Sequence, residues 1–439
     1  MKTYNHLFES MLLPDTVAKC ALDAAEGKLR RREVMSAFRE FDKTYDHVVS
    51  CAKNPNYRPC EDNTHEIIDG ANHKPREIEK PMFCPEQILH HMIIEPFKPV
   101  LLDGLYEQVY GCLPPTVKEG KDGRKLIRKY GPHAAIRQLR KWVQTGTKVF
   151  VAETDIHHAY GSVKIAILSR QMRRVIKDKE WLRITHQFLH YRPGNPADEE
   201  LRGLILGHYT SPWFFNFYLK QFDHFAAALP GVKYLRFADN IFLVGTNKRK
   251  VHKALDAIRE YLGRELELEL NSCTQVYRFE YEDRRGKFRG RAVNALGAVI
   301  HCNRVTLRKS ILMRIRRKSM RIVRKNGSVT WHDGASMFSR LSWIRHTDTY
   351  IYYMKYIKPN LNTRQLKQRV RNHSRKLMPI AKERRRIIND GLEKSARLSG
   401  REAAGVGHDN ERGRCLPEEE HRTHHGRGYG REDCRTLAV

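Results

Sequence analysis

Leu235-Arg236-Phe237-Ala238-Asp239-Asn240-Ile241-Phe242 is the stretch on which the reading of this chain turns. Tyr234-Leu235-Arg236-Phe237 and Ile241-Phe242-Leu243-Val244 are two runs rich in aromatic and branched residues, the composition of β-strands, and between them stands one acid followed by an amide. Two such runs so close together read as a hairpin. Asp239 then lies at the strand turn, where a carboxylate suits a divalent cation, a hard ion that prefers oxygen ligands. A second acid, Asp155, closes the run Val149-Phe150-Val151-Ala152-Glu153-Thr154. If these strands lie side by side, both carboxylates meet at one edge and suit a pair of Mg²⁺ ions that activate a 3′ hydroxyl and neutralise a leaving pyrophosphate. A lone acid serves equally well as a strand cap or an arginine partner, so spacing and neighbours must decide.

Composition sets the outer limits. The chain has 439 residues, enough for two or three domains or one elaborate one, with Lys+Arg 81 against Asp+Glu 50 and a formal charge of +31. That excess implies a polyanionic partner; the bland alternative is a ribosome-like or merely solubilising surface. Nine cysteines, an odd number without a CxxC pair, indicate neither a disulfide framework nor a zinc module and fit a reducing cytoplasm. No window approaches the ~18 apolar residues of a spanning helix, so no membrane insertion is expected.

Apolar periodicity predicts two helices over 7–43, a loop or irregular hairpin over 52–76, and helices over 86–99 and 132–145. A strand is expected at 148–155, a helix near 163–178, a loop at 203–210, an aromatic helix at 211–229 and a hairpin at 232–245. A helix at 247–263 and short strands at 265–281 and 293–306 complete the middle of the chain. From 308 onward the chain reads as helical and very basic, and 396–439, rich in Gly, Arg, His and Glu, reads as disordered.

Three ordered boxes carry a resemblance. Asp155-Ile156-His157-His158-Ala159-Tyr160-Gly161-Ser162-Val163, then Gly203-Leu204-Ile205-Leu206-Gly207-His208-Tyr209-Thr210-Ser211, then Phe237-Ala238-Asp239-Asn240 resemble motifs A, B and C of reverse transcriptases. The likeness covers roughly 75–380 and is strongest for the bacterial branch of diversity-generating retroelement, retron and group II intron enzymes. It implies an α+β, right-hand polymerase fold: fingers at 75–150, a ferredoxin-like palm of antiparallel sheet and helices at 151–306, and a helical basic thumb at 307–390. A helical extension with a loop at 1–74 and a disordered tail at 391–439 would flank it.

What the resemblance implies for single residues follows. Asp155 and Asp239 would be catalytic and, with the Ile156 carbonyl and Asn240, would bind two Mg²⁺ ions, Mn²⁺ being the alternative. The stretch beginning Lys74-Pro75-Arg76-Glu77-Ile78-Glu79-Lys80 resembles the fingers motif that touches the incoming triphosphate, with Arg76 and Lys80 both candidates. Tyr160 would sit under the sugar and exclude a 2′ hydroxyl, and Ser211 would join it at the nucleotide. Gly203 and Gly207 would let template and nucleotide approach the backbone, which only small residues permit. Asn294-Ala295-Leu296-Gly297 with Val305-Thr306-Leu307-Arg308-Lys309 resembles the primer grip and the thumb entry. Gly297, Arg308, Lys309, Arg316 and Arg317 would then contact template and primer. The chain departs from the family at Asn240, where a second acid is usual, and so lacks one negative charge.

The basic surface fits that picture. Residues 308–325 hold nine basic residues and no acid, with Ile311, Leu312, Ile315 and Ile322 at helical spacing, so one face can pack while the other follows a phosphate backbone. Residues 364–386 add ten basic residues against Glu383 alone. Trp331, Trp343, Tyr350, Tyr352, Tyr353 and Tyr356 lie between these runs, and packing of a helical thumb is their favoured use over base stacking. The expected function is RNA-directed DNA polymerisation by two-metal nucleotidyl transfer, weakened by Asn240. Its partners would be an RNA template, a DNA or RNA primer, dNTPs and a small accessory protein. The competing reading is a catalytically impaired RNA-binding subunit of a retroelement or antiviral defence system.

Overall fold

A computed structural model describes residues 2–60, 63–68, 75–119, 125–128, 130–146, 148–190, 201–325 and 328–404. The expected disorder at 405–439 falls outside the described residues.

The N-terminal region holds four helices rather than two: α1 (Leu7–Leu12), α2 (Pro14–Ala25), α3 (Arg32–Arg39) and α4 (Phe41–Lys53). Pro14 lacks the N–H that would continue α1 but is tolerated in the first turn of α2. Glu40, outside helical geometry at φ −118° and ψ 52°, separates α3 from α4. The stretch expected as loop or hairpin contains β1 (Asn63–Ile68), antiparallel to β2 (Pro75–Lys80). α5 (Ile88–Leu102) buries Ile88, Leu89, Met92, Ile93 and Phe97 against α1 and α2. A hairpin of β3 (Thr116–Glu119) and β4 (Lys125–Arg128) precedes α6 (Pro132–Val143).

Next in the chain are β5 (Phe150–Asp155), α7 (Ile165–Val175), α8 (Lys179–His190), α9 (Ser211–Tyr218), α10 (Lys220–Ala227), β6 (Val232–Phe237), β7 (Asn240–Gly245), α11 (Lys248–Leu266) and β8 (Gln275–Arg278). Helix α8 had no sequence expectation, and the helix expected at 211–229 is divided at Leu219. The four strands form one sheet in the order β6-β7-β5-β8, every neighbour antiparallel. The period of two decides what each face covers. Phe150, Ala152, Tyr234, Ile241 and Leu243 join a core built with α7 to α11. Val149, Val151, Leu235, Phe242 and Val244 join the second core, with α6. Each Val, Leu, Ile or Phe among them contributes about 1.5–3 kcal/mol on full burial.

Beyond a short pair, β9 (Tyr281–Glu282) and β10 (Phe288–Arg289), a three-stranded meander closes that second core: β11 (Val293–Ala295), β12 (Ala298–Ile300) and β13 (Val305–Leu307). This is the α+β arrangement expected, with an antiparallel sheet backed by helices.

The basic C-terminal region forms α12 (Lys309–Arg324), α13 (Trp331–Ser342), α14 (Tyr350–Tyr356) and α15 (Thr363–Ala404) around Ile315, Ile322, Met337, Ile357 and Leu366. Its aromatic residues are not all core, contrary to the favoured expectation. Trp343, Tyr352 and Tyr353 pack against it, but Tyr350 is 61% exposed and Trp331 stacks on His373 at 3.9 Å while remaining 39% exposed. The base of this helical region is seated on the sheet. Trp343 lies over Gly297, the His346 ring lies tilted against His133 of α6 with centres 3.9 Å apart, and Val305 N donates to Asp348 Oδ2 at 2.8 Å. The tail expected from 391 is corrected for 391–404, whose backbone continues α15. Its favourable contact is local: a Cβ on Gly391 would stand 2.1 Å from the Phe38 carbonyl oxygen, so α15 lies flush on α3 with Ile388 buried.

One buried acid ties α12 to α13. Asp333 accepts from Lys318 at 2.8 Å and Lys325 at 2.7 Å and closes a capping box with Thr330. Burial alone would raise its carboxyl, but the two lysines and Thr330 hold it well below the usual carboxylate range. A depressed pKa gives stability that is present above the ordinary carboxylate range and lost as pH falls through the folded value. Asp333→Ala is expected to destabilise this helical region by about 1–3 kcal/mol, read by urea unfolding at neutral pH, with a smaller deficit in acid.

Candidate active site

The hairpin expected from the opening stretch is present. β6 and β7 pair from Val232↔Gly245 to Phe237↔Asn240, which leaves Ala238 and Asp239 as a two-residue turn. β5 pairs β7 in the register Asp155↔Asn240, and Ile156 N donates to the Asp239 carbonyl at 3.1 Å. The two acids are therefore at one edge of the sheet. Burial raises the Asp239 carboxyl above its usual range; the charge of Asp155 adds to that rise, while Asn240 and Arg76 work against it. Two carboxylates that repel each other in a half-buried site are a place for a cation.

The donors there are oxygens: the two carboxylates and the Asn240 amide, next to the buried Ile156. Such a set fits a hard divalent ion. Asn240 turns its amide nitrogen toward Asp239, donating to Oδ1 at 2.8 Å. Among the described residues no group of three or more His, Cys, Asp or Glu side chains gathers to hold a metal, so the acids are a pair. Asn271, which the sequence reading did not single out, supports Asp155: its backbone N–H donates to the Asp155 carbonyl at 2.8 Å and its amide to Oδ2 at 3.4 Å. Nothing in local spacing announces it, because it arrives from the far end of α11.

The nucleotide candidates are arranged unequally. Arg76 on β2 acts electrostatically on Asp239, whereas Lys80 acts on Lys28, itself lowered by burial and by Arg31. Tyr160 stacks on Phe215 at 4.9 Å; burial, with Cys112 and Asp239 beside it, pushes its phenol well above the ordinary range, so the ring stays neutral. Ser211 is buried and its Oγ donates to the Ile205 carbonyl at 2.6 Å, which fixes the loop before α9.

Two of the candidate glycines have other parts of the chain close against them. A Cβ on Gly207 (φ +106°) would be 2.0 Å from the Glu79 carbonyl oxygen, so its backbone is approached by β2. Gly207 thus lets the β1–β2 hairpin dock on the loop, with Glu79 N donating to the Leu206 carbonyl at 2.9 Å. Gly297 (φ +85°) lies under Ile311 and Trp343 and makes room for α12 and α13 to pack there. Gly203 (φ +97°) donates its N–H to the Val163 carbonyl at 2.8 Å.

The basic candidates lie at the start of α12 and along it. Arg308 Nε donates to Asn294 Oδ1 at 2.9 Å. Lys309, Arg316 and Arg317 are exposed on α12, and the Arg316 guanidinium lies 5.1 Å from the Tyr356 ring centre. A chain of contacts joins them to the sheet: Glu153, two residues before Asp155, accepts from Tyr277 and from Asn294 N, the latter at 3.0 Å.

Residues 113–293 match the family profile described as Reverse transcriptase (RNA-dependent DNA polymerase). The matched segment is similar to reverse transcriptases. It contains Asp155, Tyr160, Ser211, Asp239 and Asn240. Solved structures that match include an apo telomerase from Candida tropicalis truncated from its C-terminal domain, at 11% identity and a TM-score of 0.38, covering 56% of this chain and 55% of that one. A telomerase from Candida albicans in complex with a TWJ fragment of telomeric RNA matches at 10% identity and a TM-score of 0.39, covering 73% of this chain and 58% of that one. The chain thus spans a little over half the length of those structures. No curated protein sequence matches it. No helix among the described residues is long and apolar enough to cross a membrane.

Proposed function

We propose that this chain is an RNA-directed DNA polymerase, a reverse transcriptase, that copies an RNA template into cDNA. The observation that carries the reading is the register Asp155↔Asn240, which sets both acids at one sheet edge inside the segment that matches reverse transcriptases. Asp155 and Asp239 would hold two Mg²⁺ ions, with Ile156 and Asn240 offering further oxygens. Such ions, when bound, lower the pKa of a 3′ hydroxyl and neutralise departing pyrophosphate. Arg76 would meet the negative triphosphate, a task for positioned charge in phosphoryl transfer. Tyr160 would occupy the space of a 2′ hydroxyl, and the exposed cations of α12 and α15 would follow the backbone of the duplex.

Primer extension with matched substrates tests this reading. Primed RNA should be copied with dNTPs, and rNTPs should be poor substrates; extension with rNTPs alone would replace the reading with an RNA polymerase. Tyr160→Ala is expected to relax the preference for dNTPs by about tenfold, since steric overpacking costs about 1–3 kcal/mol. The check is the ratio of kcat/KM for paired deoxy and ribo substrates.

A second reading has its own observation. The Asn240 amide hydrogen occupies Asp239 Oδ1, a lone pair that a metal would use, and position 240 supplies no charge. A chain in which this arrangement persists would bind RNA without extending a primer, as a subunit of a bacterial retroelement or defence system.

A further inference from the structure

The strand that delivers Asp239 carries a charge in its buried face. Arg236 lies between Leu235 and Phe237 in β6 and is fully buried. Its guanidinium grips Asp223 of α10 with two bonds, Nε to Oδ1 and Nη2 to Oδ2, each 2.7 Å, and Asp223 is also fully buried. The Tyr234 hydroxyl donates to the same carboxylate at 2.7 Å. The remaining guanidinium nitrogen, Nη1, donates to Asn216 Oδ1 at 3.0 Å and to the Ala238 carbonyl at 2.9 Å. Asn216, buried in α9, sends its own amide to the Gly111 carbonyl at 3.1 Å. Gly111 in turn lies so close to the turn that a Cβ there would be 2.2 Å from Ala238 N.

This network converges on one peptide. Ala238 is the residue before Asp239, and its φ of +53° is a left-handed conformation that residues other than glycine adopt only when their surroundings enforce it. A buried ion pair is a poor route to stability alone, because apolar residues of the same shape serve as well or better. The forked geometry of arginine supplies what apolar residues cannot, a donor aimed at the turn while both other nitrogens are anchored.

We infer that Arg236, anchored by Asp223 and Asn216, is a positioning residue that holds the left-handed turn at Ala238 and so presents Asp239 to Asp155 in a fixed arrangement. The inference rests on the reading of those two acids as metal ligands. A site loosened by a fraction of an ångström loses affinity for an ion that needs near-ideal ligand placement.

The test compares full-length wild type with three variants: Arg236→Lys, Asn216→Ala, and the neutral pair Arg236→Met with Asp223→Leu. Thermal melting reports folding, Mn²⁺ binding followed by electron paramagnetic resonance reports the site without any turnover, and primer extension is titrated with Mg²⁺. Variants that melt cooperatively are expected to bind Mn²⁺ about tenfold more weakly and to need about tenfold more Mg²⁺, while KM for dNTP moves little. Adding Ala238→Gly to Arg236→Lys should recover part of the Mn²⁺ affinity, because glycine occupies positive φ without enforcement. Asn216→Ala keeps the ion pair and repeats the test if the neutral pair does not fold. Folded variants with the Mn²⁺ affinity of a metal-binding wild type would overturn the role of Arg236 alone. A wild type that itself binds no Mn²⁺ would remove the metal-centre reading and this inference with it.

Discussion

Exchanging Asp239 for asparagine is expected to abolish primer extension, by about 10³-fold or more in kcat, and at the same time to stabilise the metal-free protein. The loss follows from removing a ligand whose metal supplies several kcal/mol, since about 4 kcal/mol corresponds to 10³-fold. The gain follows from the acid's surroundings. Burial and then Asp155 raise the Asp239 carboxyl in the fold, so the native state holds that proton more tightly than the unfolded chain does. Stability then falls as pH rises from the ordinary carboxylate range through the raised value, and stays lower above it. Asparagine carries no charge to lose. Melting curves in EDTA should place Asp239→Asn above wild type at neutral pH, with the difference shrinking toward pH 4. Millimolar Mg²⁺ should raise the wild type and leave the variant unmoved. A variant that melts below wild type in EDTA and still extends primers would remove Asp239 from the site.

The opposite change beside it has the next largest effect. Asn240→Asp is expected to reduce the Mg²⁺ concentration needed for half-maximal extension by about 10- to 100-fold. A unit charge acting on another at 4 Å in an effective dielectric of 20 is worth about 4 kcal/mol, and repulsion among three acids returns part of that. The variant also releases Asp239 Oδ1 from the amide hydrogen that Asn240 now gives it. In EDTA it should melt below wild type, the mirror image of Asp239→Asn. Titration of extension against Mg²⁺ measures the shift, and an unchanged requirement would show that position 240 does not reach the metals.

Much of the site was legible because its parts are local. Two β-type runs around Asp239 gave a hairpin, and an acid at the end of β5 gave the second carboxylate. Gly207 was legible through the resemblance as a place of close approach, but the part of the chain that approaches it was not. Gly207 meets the Glu79 carbonyl, a partner on a distant strand that no periodicity encodes. The same limit applies to Asn271, which reaches Asp155 only after α11 has crossed the sheet. Arg236 did carry a signal, a cation inside an apolar run, which demands a buried counter-charge; which acid supplies it depends on how α10 packs behind β6. The helices were misjudged where single residues interrupt them. Pro14 and Glu40 divide runs whose apolar spacing continues, because a missing N–H or a non-helical backbone at one residue overrides a pattern spread over ten.

Extension of a labelled DNA primer on an RNA template, with dNTPs and Mg²⁺ or with EDTA, by wild type beside Asp155→Ala, tests the metal centre most directly. Longer product is expected from wild type with Mg²⁺, and none with EDTA or from Asp155→Ala, although the variant should bind the primed RNA as wild type does. Equal extension by Asp155→Ala, or a wild type that binds primed RNA and extends nothing, would contradict nucleotidyl transfer at Asp155 and Asp239.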